Sequence, residues 1–317
     1  MSASRHCATL ALLVVGAIWG TLARLGLVAL NTYDGQSIEP TIWAQAVGCL
    51  IMGWVTHPKN KAALEQWYAP AFVMLGTGFC GCLTTYSSWV FRVFQAFSNE
   101  LHFDRHGLHN VMDALTQTGA TLGMAIASLW AGRALGDTLT IPKLPTSRYS
   151  ADHVCIAIGV AFWAGAAILC GLHPPFRPET FALVLSPPGA MLRWYLSRLN
   201  SASLGKLGKL PYGTFAANVF AIAVLCAAYT AQYVGRSTGP GSLGAWTPTS
   251  CAALYGLQQG FAGSLSTVST FTVELTTLRP LRLAFSYAFV SWTVGVIVSI
   301  LLVGAPWWSL GMQGGCG

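Results

Sequence analysis

The chain alternates between long apolar runs and short polar connections. At about 20 apolar residues per helical membrane crossing, the runs predict nine transmembrane helices, of which the second is short and the third long. The predicted spans are residues 8–30, 40–55, 70–98, 108–132, 153–172, 180–199, 211–231, 250–278 and 283–304. The pattern therefore predicts an all-α membrane protein.

Two of these spans contain related polar segments. Residues 78–89 (GFCGCLTTYSSW) and 260–271 (GFAGSLSTVSTF) are identical at six of twelve positions. Glycine and hydroxyl residues at membrane depth are costly unless their backbone lines a polar cavity, as it does in the broken helices of transporters. The third helix of each half is therefore predicted to be broken.

Other matches flank the two segments in the same order. Residues 20–24 resemble residues 189–193, and residues 43–48 resemble residues 216–221 more weakly. One extra helix, residues 154–172, separates two four-helix halves, so the second half is predicted to enter the membrane from the opposite face. Such inverted repeats create a pseudo-twofold axis in the membrane plane, near which ion sites tend to lie. The predicted units are a first four-helix repeat (1–132), a linker with one helix (133–178) and an inverted second repeat (179–317).

Composition and charge support this class. The chain has 54% hydrophobic and 9% charged residues, far from the composition of soluble domains. Most lysines and arginines fall on connections that share a side with the N-terminus, which predicts a cytoplasmic N-terminus and an extracellular C-terminus. Nine cysteines form no CxxC pair, and most lie in apolar runs, which favours small packing residues. Only Asp113 and Glu274 are acids near span interiors, which disfavours a proton-coupled pump.

The repeated segment resembles that of a known family. Gly-Phe-Cys-Gly followed by Leu-Thr-Thr-aromatic-Ser, at residues 78–87, resembles the motif of the small bacterial fluoride channels called Fluc. Two such halves joined by one helix resemble the eukaryotic fluoride exporters called FEX. The resemblance covers nearly the whole chain. It implies a fluoride-selective channel, not an enzyme, that exports fluoride passively from the cytoplasm across the plasma membrane. Because both halves share one chain, we expect a functional monomer in the lipid bilayer, with no nucleic-acid partner and no organic cofactor.

The resemblance also implies a structural sodium ion at the crossing of the two breaks. Its ligands would be the backbone carbonyls of Gly81, Thr84, Gly263 and Ser266, since neutral carbonyl dipoles can replace water around a hard cation. The alternative is that these glycines only let helices approach closely.

Two aromatic positions after each break line the family's pore, where positive ring edges replace part of an anion's hydration. Pairing across the halves gives Tyr86 with Phe271 in one pore and Val268 with Trp89 in its twin. Valine offers no ring edge, so we expect one conducting and one degenerate pore; simple aromatic packing is the alternative. The expected conducting-pore residues are Tyr86, Asn218, Ser269, Thr270, Phe271, Tyr287 and Ser291. Those of the degenerate pore are Gln45, Trp89 and Val268. Gln45 is the longer counterpart of Asn218.

Arg24 and Arg193 need partners, because a charge in hydrocarbon costs several kcal/mol. The resemblance implies that they line an aqueous vestibule that draws anions; the alternative is snorkelling toward the headgroups.

Other functions are less well supported. A secondary active transporter of another small ion shares inverted repeats and broken helices. An intramembrane enzyme lacks a plausible base, and a structural membrane protein without flux is a third alternative. The histidines 102, 106 and 109 with Asp104 resemble a metal cluster only superficially, because their segment is predicted to be an exposed connection.

Overall fold

The computed structural model describes residues 2–34, 38–100, 102–105, 107–142, 150–201, 210–234, 247–311 and 316. Within these ranges every regular element is a helix, which confirms the all-α prediction.

The described residues of the first half form six α-helices. They are α1 (Ala3–Leu30), α2 (Ile42–Thr56), α3 (Pro58–Val73), α4 (Gly81–Leu83), α5 (Tyr86–Ser98) and α6 (Leu108–Thr138). A π-helical segment, Met74–Cys80, joins α3 to α4. Thr84 and Thr85 then take extended conformations, and Thr85 caps α5 by accepting a hydrogen bond from the backbone N–H of Ser88. The predicted break therefore lies at these two threonines.

The second half repeats this arrangement. After α7 (Ser150–Leu172) come α8 (Arg177–Leu196), α9 (Tyr212–Val234), α10 (Pro248–Tyr255), α11 (Gly263–Leu265), α12 (Val268–Thr277), α13 (Leu281–Ser299) and α14 (Ala305–Leu310). A π-helical segment, Gly256–Ala262, joins α10 to α11. Ser266 and Thr267 are extended, and Thr267 caps α12 as Thr85 caps α5. Both predicted breaks are present at equivalent residues.

Five helical stretches in the described ranges are long and apolar enough to cross a membrane. They are Ala3–Leu30, Pro58–Ser98, Ala151–Leu172, Tyr212–Tyr233 and Leu281–Leu310. Ile42–Thr56 is apolar but shorter. The protein is thus a multi-pass membrane protein, and the count of nine spans stays a prediction.

Glycines in α1 and α8 let these helices lie directly on the broken segments. A Cβ atom at Gly20 would lie 2.4 Å from the carbonyl oxygen of Phe79, and one at Gly189 would lie 2.4 Å from that of Phe261. Such contacts leave no room for a side chain. Close helix packing through small residues is therefore part of this fold, at glycines outside the predicted sodium ligands.

Two contacts outside the centre hold peripheral segments. The carboxylate of Asp152 in α7 is buried and pairs with Arg5 at 2.9 Å, and it accepts a hydrogen bond from the Tyr68 hydroxyl at 2.6 Å. A disulfide joins Cys251 at α10 to Cys316 near the C-terminus. Five cysteines are buried, as expected for packing residues, but this disulfide was not predicted from the sequence.

Candidate functional site: two crossed helix breaks

Hydrogen bonds that involve hydroxyl groups connect the two breaks in the core. The Ser87 hydroxyl lies 2.9 Å from that of Ser266, and the Ser87 backbone N–H donates to the same oxygen at 3.1 Å. In the other direction, the Ser269 backbone N–H donates to the Thr84 hydroxyl at 3.1 Å. Ser87 and Ser269 are equivalent in the two twelve-residue segments, as are Thr84 and Ser266. The contacts between the two halves are therefore reciprocal.

A side-chain amide holds each break from a neighbouring helix. Gln45 in α2 accepts from the Thr85 backbone N–H at 3.1 Å and donates to its carbonyl at 2.7 Å. Asn218 in α9 accepts from the Thr267 N–H at 2.9 Å and donates to its carbonyl at 3.5 Å. The longer amide of Gln45 thus reaches its break in the same way as Asn218. The asparagine NH₂ group is held more loosely.

Both predicted vestibule arginines lie in the interior. Arg24 is 1% exposed and Arg193 is 4% exposed, so both side chains lie away from solvent. Arg24 donates through Nη1 to the carbonyls of Cys82 at 2.9 Å and Gly263 at 2.7 Å, and through Nη2 to the carbonyl of Gln259. Its guanidinium group therefore faces carbonyls at the breaks rather than solvent.

Arg193 makes the corresponding contacts from the second half. It donates through Nε to the carbonyl of Ser264 at 2.9 Å and through Nη2 to the carbonyl of Thr77 at 2.7 Å. The Cys82 thiol lies 3.5 Å from the same Nη2. Among the described residues, neither buried arginine forms an ion pair with a carboxylate. Backbone carbonyls are therefore the main compensation for both charges.

Four aromatic rings form a continuous column beside the breaks. Tyr287 contacts Phe271, Phe271 contacts Tyr86, and Tyr86 contacts Trp89, each with ring centroids 5.2 Å apart. The last two contacts are edge-on, at 68° and 89°. We call these four residues the aromatic column. It joins the predicted pair Tyr86 and Phe271, and it also includes Trp89, which was assigned to the other pore.

Two buried hydroxyl groups of the predicted pore have no hydrogen-bond partner among the described residues. These are the hydroxyls of Tyr86 in the column and of Ser291, one helical turn after Tyr287 on α13. A buried hydroxyl without a partner costs about 1–3 kcal/mol. Both groups are free to donate to an anion.

The remaining predicted pore residues differ in whether they present a free hydrogen-bond donor. Thr270 is half-buried, and its backbone N–H donates to the Thr267 hydroxyl at 3.5 Å. The Trp89 indole N–H is used, since it donates to the Gln117 carbonyl at 3.3 Å. Val268 is fully buried and has no polar side-chain group. The predicted degenerate pair, Trp89 and Val268, therefore presents no free side-chain donor.

Glu274 was not assigned to the site from the sequence. It lies near the end of α12, where it accepts from Tyr287 at 2.9 Å, Thr214 at 2.5 Å and Asn200 at 3.2 Å. Its equivalent in the first repeat is Arg92, so an acidic residue in one half stands where the other half has a basic one. Counting eight residues on from Thr84 and Ser266 would have revealed this inequality. Glu274 extends the aromatic column at the Tyr287 end.

Candidate cation ligands lie at the breaks. The carbonyl oxygens of Thr84 and Ser266 belong to fully buried residues and accept no hydrogen bond from the described chain. The described ranges contain no cluster of three or more His, Cys, Asp or Glu side chains able to hold a metal. This includes His102 and His109, whereas His106 lies outside the described residues.

Fold and site together define a class, namely an all-helical membrane protein of two related halves whose interrupted helices meet in the core. A family model described as "CrcB-like protein, Camphor Resistance (CrcB)" matches the chain twice, over residues 11–133 and 180–305. The chain belongs to this family.

Named relatives agree with this assignment. The chain is 32% identical to Fluoride export protein 1 of Candida albicans, over 95% of this chain and 80% of that protein. It is 33% identical to Fluoride export protein 1 of Schizosaccharomyces pombe, over 92% and 94% respectively. Fluoride-specific ion channel FluC 2 of Synechococcus is 30% identical over 46% of this chain and 93% of its own length. No solved structure matches the chain. These relatives confirm the resemblance to the Fluc and FEX family and the expectation that the chain is not an enzyme.

Proposed function

We propose that this protein is a fluoride-selective channel that exports fluoride passively from the cytoplasm, through one conducting pore, with the second pore degenerate. The observation that carries the proposal is the aromatic column with two unpartnered buried hydroxyls, Tyr86 and Ser291, within a family whose relatives are named fluoride exporters and channels.

The chemistry suits a small anion. Fluoride is a strong hydrogen-bond acceptor. When the ion leaves water, hydrogen-bond donors of the protein must replace its hydration shell. Ring edges and hydroxyl groups provide these without a full positive charge that would trap the ion. Asn218 is a further donor, since its NH₂ group lies 3.5 Å from the Thr267 carbonyl that it contacts, whereas that of Gln45 lies 2.7 Å from the Thr85 carbonyl. Ser269 and Thr270 complete the proposed lining.

The single-pore proposal rests on unequal halves. Tyr86 and Phe271 meet edge-on, whereas Val268 supplies no ring to match Trp89. The Trp89 N–H is already used by a carbonyl. These two differences favour the route along Tyr86, Phe271 and Tyr287.

We further propose an inverted-repeat architecture with nine spans, in which a pseudo-twofold axis passes between the breaks. Reciprocal contacts are typical of a twofold relation. In such contacts two residues bind each other, and their equivalents in the opposite halves bind each other in the same way. The pair Ser87 with Ser266 and its counterpart Ser269 with Thr84 support this relation. A single helix between the halves, α7, would invert the second half.

A structural sodium ion at the breaks is also proposed. The unpartnered carbonyls of Thr84 and Ser266 fit a cation that prefers neutral oxygen ligands. The Gly263 carbonyl is shared with Arg24 at 2.7 Å, and a carbonyl oxygen has a second lone pair for another partner. These residues with Gly81 would hold the ion, which would supply positive charge between the two helix ends.

We propose that the protein lies in the plasma membrane, with its C-terminus outside the cell. Disulfides persist in oxidising compartments and are rare in the cytosol. The bond from Cys251 to Cys316 therefore supports an extracytoplasmic C-terminus and, on the same side, the start of α10. Since one chain carries both breaks and their mutual contacts, we propose that the monomer is functional.

The test is anion efflux from liposomes that carry the purified protein. We expect fluoride efflux driven by the fluoride gradient alone, with no saturation and no coupling ion, and little chloride efflux. Large chloride flux, or dependence on a proton or sodium gradient as in a secondary transporter, would reject the proposal.

Matched variants test the single pore. Phe271→Ile should abolish most fluoride efflux, whereas Val268→Ala should leave it near wild type. Asn218→Ala and Gln45→Ala form a second pair, in which loss of the pore donor Asn218 is expected to reduce efflux more per folded molecule. Equal losses in both pairs would remove the single-pore proposal and leave the channel assignment intact.

A further inference from the structure

The two buried arginines bind carbonyls at equivalent positions of opposite repeats. Arg24, from the first half, donates through Nη2 to the carbonyl of Gln259 in the second. Arg193, from the second half, donates through Nη2 to the carbonyl of Thr77 in the first, at 2.7 Å. Thr77 and Gln259 each stand one residue before the repeated twelve-residue segment. Each arginine therefore reaches the same place in the other repeat.

Each arginine also binds its own repeat. Arg24 Nη1 lies 2.9 Å from the Cys82 carbonyl, and Arg193 Nε lies 2.9 Å from the Ser264 carbonyl. Cys82 and Ser264 are again equivalent residues, two positions before Thr84 and Ser266 respectively. The Arg24 guanidinium group thus binds carbonyls of both broken helices. The Arg193 group does the same from the second half.

Broken helices need such partners. A helix that ends leaves its last carbonyls without intrahelical donors and carries partial negative charge at that end. In these breaks α4 ends at Leu83 and α11 at Leu265, inside the core. A guanidinium group presents five N–H donors in a rigid plane, so it can bind several carbonyls at once, which the single ammonium of lysine cannot do in the same geometry.

The glycines of the repeated segment make room for these groups. A Cβ atom at Gly81 would lie 1.8 Å from Arg193 Nη1, and one at Gly263 would lie 2.5 Å from Arg24 Nη2. Any side chain at either glycine would displace a guanidinium group. The glycine and the arginine from the opposite half therefore form a matched pair at each break.

We propose that Arg24 and Arg193 are positioning residues that brace the two helix breaks against each other and hold the breaks and the aromatic column in their conducting geometry. This inference rests on the proposed channel function for its effect on flux. It differs from a vestibule role, in which the positive charge attracts anions and the geometry of the guanidinium group does not matter.

Lysine and glutamine variants separate these roles. For a brace, Arg24→Lys and Arg24→Gln should both reduce fluoride efflux per folded molecule by roughly tenfold or more, because neither can span the carbonyls. The same should hold at Arg193, and the loss should persist at high salt. Arg282→Lys and Arg282→Gln, at an exposed arginine near the start of α13, are the control and should keep wild-type efflux. Near-normal efflux in the lysine variants, or a loss in the glutamine variants that disappears at high salt, would overturn the proposal.

Chemical rescue adds a readout that general loss of stability would not produce. In Arg24→Ala, free guanidinium ion, far below denaturing concentrations, should raise both the unfolding temperature and the efflux, whereas ammonium should not. Failure of guanidinium to rescue either property would count against the brace.

Two further measurements keep the test decisive. If the arginine variants do not fold, Gly263→Ala keeps the arginine but displaces it, and it should reduce efflux relative to Gly165→Ala, whose added Cβ meets open space. Equal efflux in these two alanine variants would overturn the proposal. If wild-type protein moves no fluoride, the channel function fails, whereas guanidinium rescue of the unfolding temperature still tests the brace.

Discussion

Tyr86 and Phe271 meet edge-on across the two halves, with ring centroids 5.2 Å apart and planes at 68°. The two residues lie in helices that begin after different breaks, α5 and α12. Their contact therefore depends on how the breaks cross, and any change in the crossing changes the aromatic part of the proposed pore.

Tyr86→Phe should separate conduction from stability. It removes a buried hydroxyl that has no partner in the described structure, so the free energy of unfolding should stay the same or rise. Fluoride efflux should fall roughly tenfold, because a donor to the ion is lost. Tyr68→Phe is the opposite control, since it removes a hydroxyl bonded to Asp152 and should lower stability but not efflux per folded molecule. Unchanged efflux in Tyr86→Phe would exclude the hydroxyl as a fluoride donor.

The hydroxyl contacts between the breaks should have matching energies. Ser266→Ala removes the acceptor of the Ser87 N–H, and Thr84→Val removes that of the Ser269 N–H. Each should lower the free energy of unfolding by about 1–3 kcal/mol, as expected for a buried donor left unsatisfied. Denaturant unfolding in detergent measures both. The exposed Ser309→Ala is the control, and losses no larger than its own would contradict the reciprocal arrangement.

Removing sodium should destabilise the protein if the breaks hold the proposed ion. A ligand that binds only the folded state raises stability with its concentration. The unfolding temperature should therefore fall when sodium is replaced by potassium or an organic cation, and it should recover on adding sodium back. An unfolding temperature that is indifferent to sodium would remove the proposed site without affecting the reciprocal hydroxyl contacts.

The disulfide should be reducible from outside the cell only. A membrane-impermeant maleimide should label Cys251 and Cys316 on intact cells after reduction and not before it. Cys251→Ser should lower the free energy of unfolding by about 2–4 kcal/mol. Cys7→Ser is the control, since Cys7 is an exposed free cysteine at the start of α1. Labelling that requires permeabilised cells would reverse the proposed orientation.

Glu39, in the connection before α2, should make stability depend on pH. Burial raises the pKa of its carboxyl group above the usual value, although the Thr41 hydroxyl bond and the nearby Arg92 oppose this shift. The folded state therefore holds a proton that the unfolded state releases near pH 4.3. The free energy of unfolding should fall as pH rises from about 4.3 toward the folded-state pKa. Glu39→Gln should remove this dependence in thermal unfolding across the pH series, and persistence in the variant would assign it to another group.

Much of the site was accessible from the sequence because it is encoded locally. Glycine and hydroxyl residues in an apolar run indicated where the helices break, and the breaks lie at Thr84–Thr85 and Ser266–Thr267 as the duplicated segment suggested. The partners of these breaks were less accessible. Gln45 seemed an imperfect copy of Asn218, yet both amides bind the extended threonine of their own repeat.

The sequence by itself determined the all-helical membrane class, the duplication and the places where the helices break, because hydropathy and backbone propensity are local properties of the chain. Only the tertiary structure decided what the buried charges bind and which cysteines pair. Arg24 finds its carbonyls at Cys82, Gln259 and Gly263, and Cys251 finds Cys316, only when distant segments fold together. Hydropathy shows that a charge inside a membrane needs a partner, but the partner is fixed by the way the two halves cross.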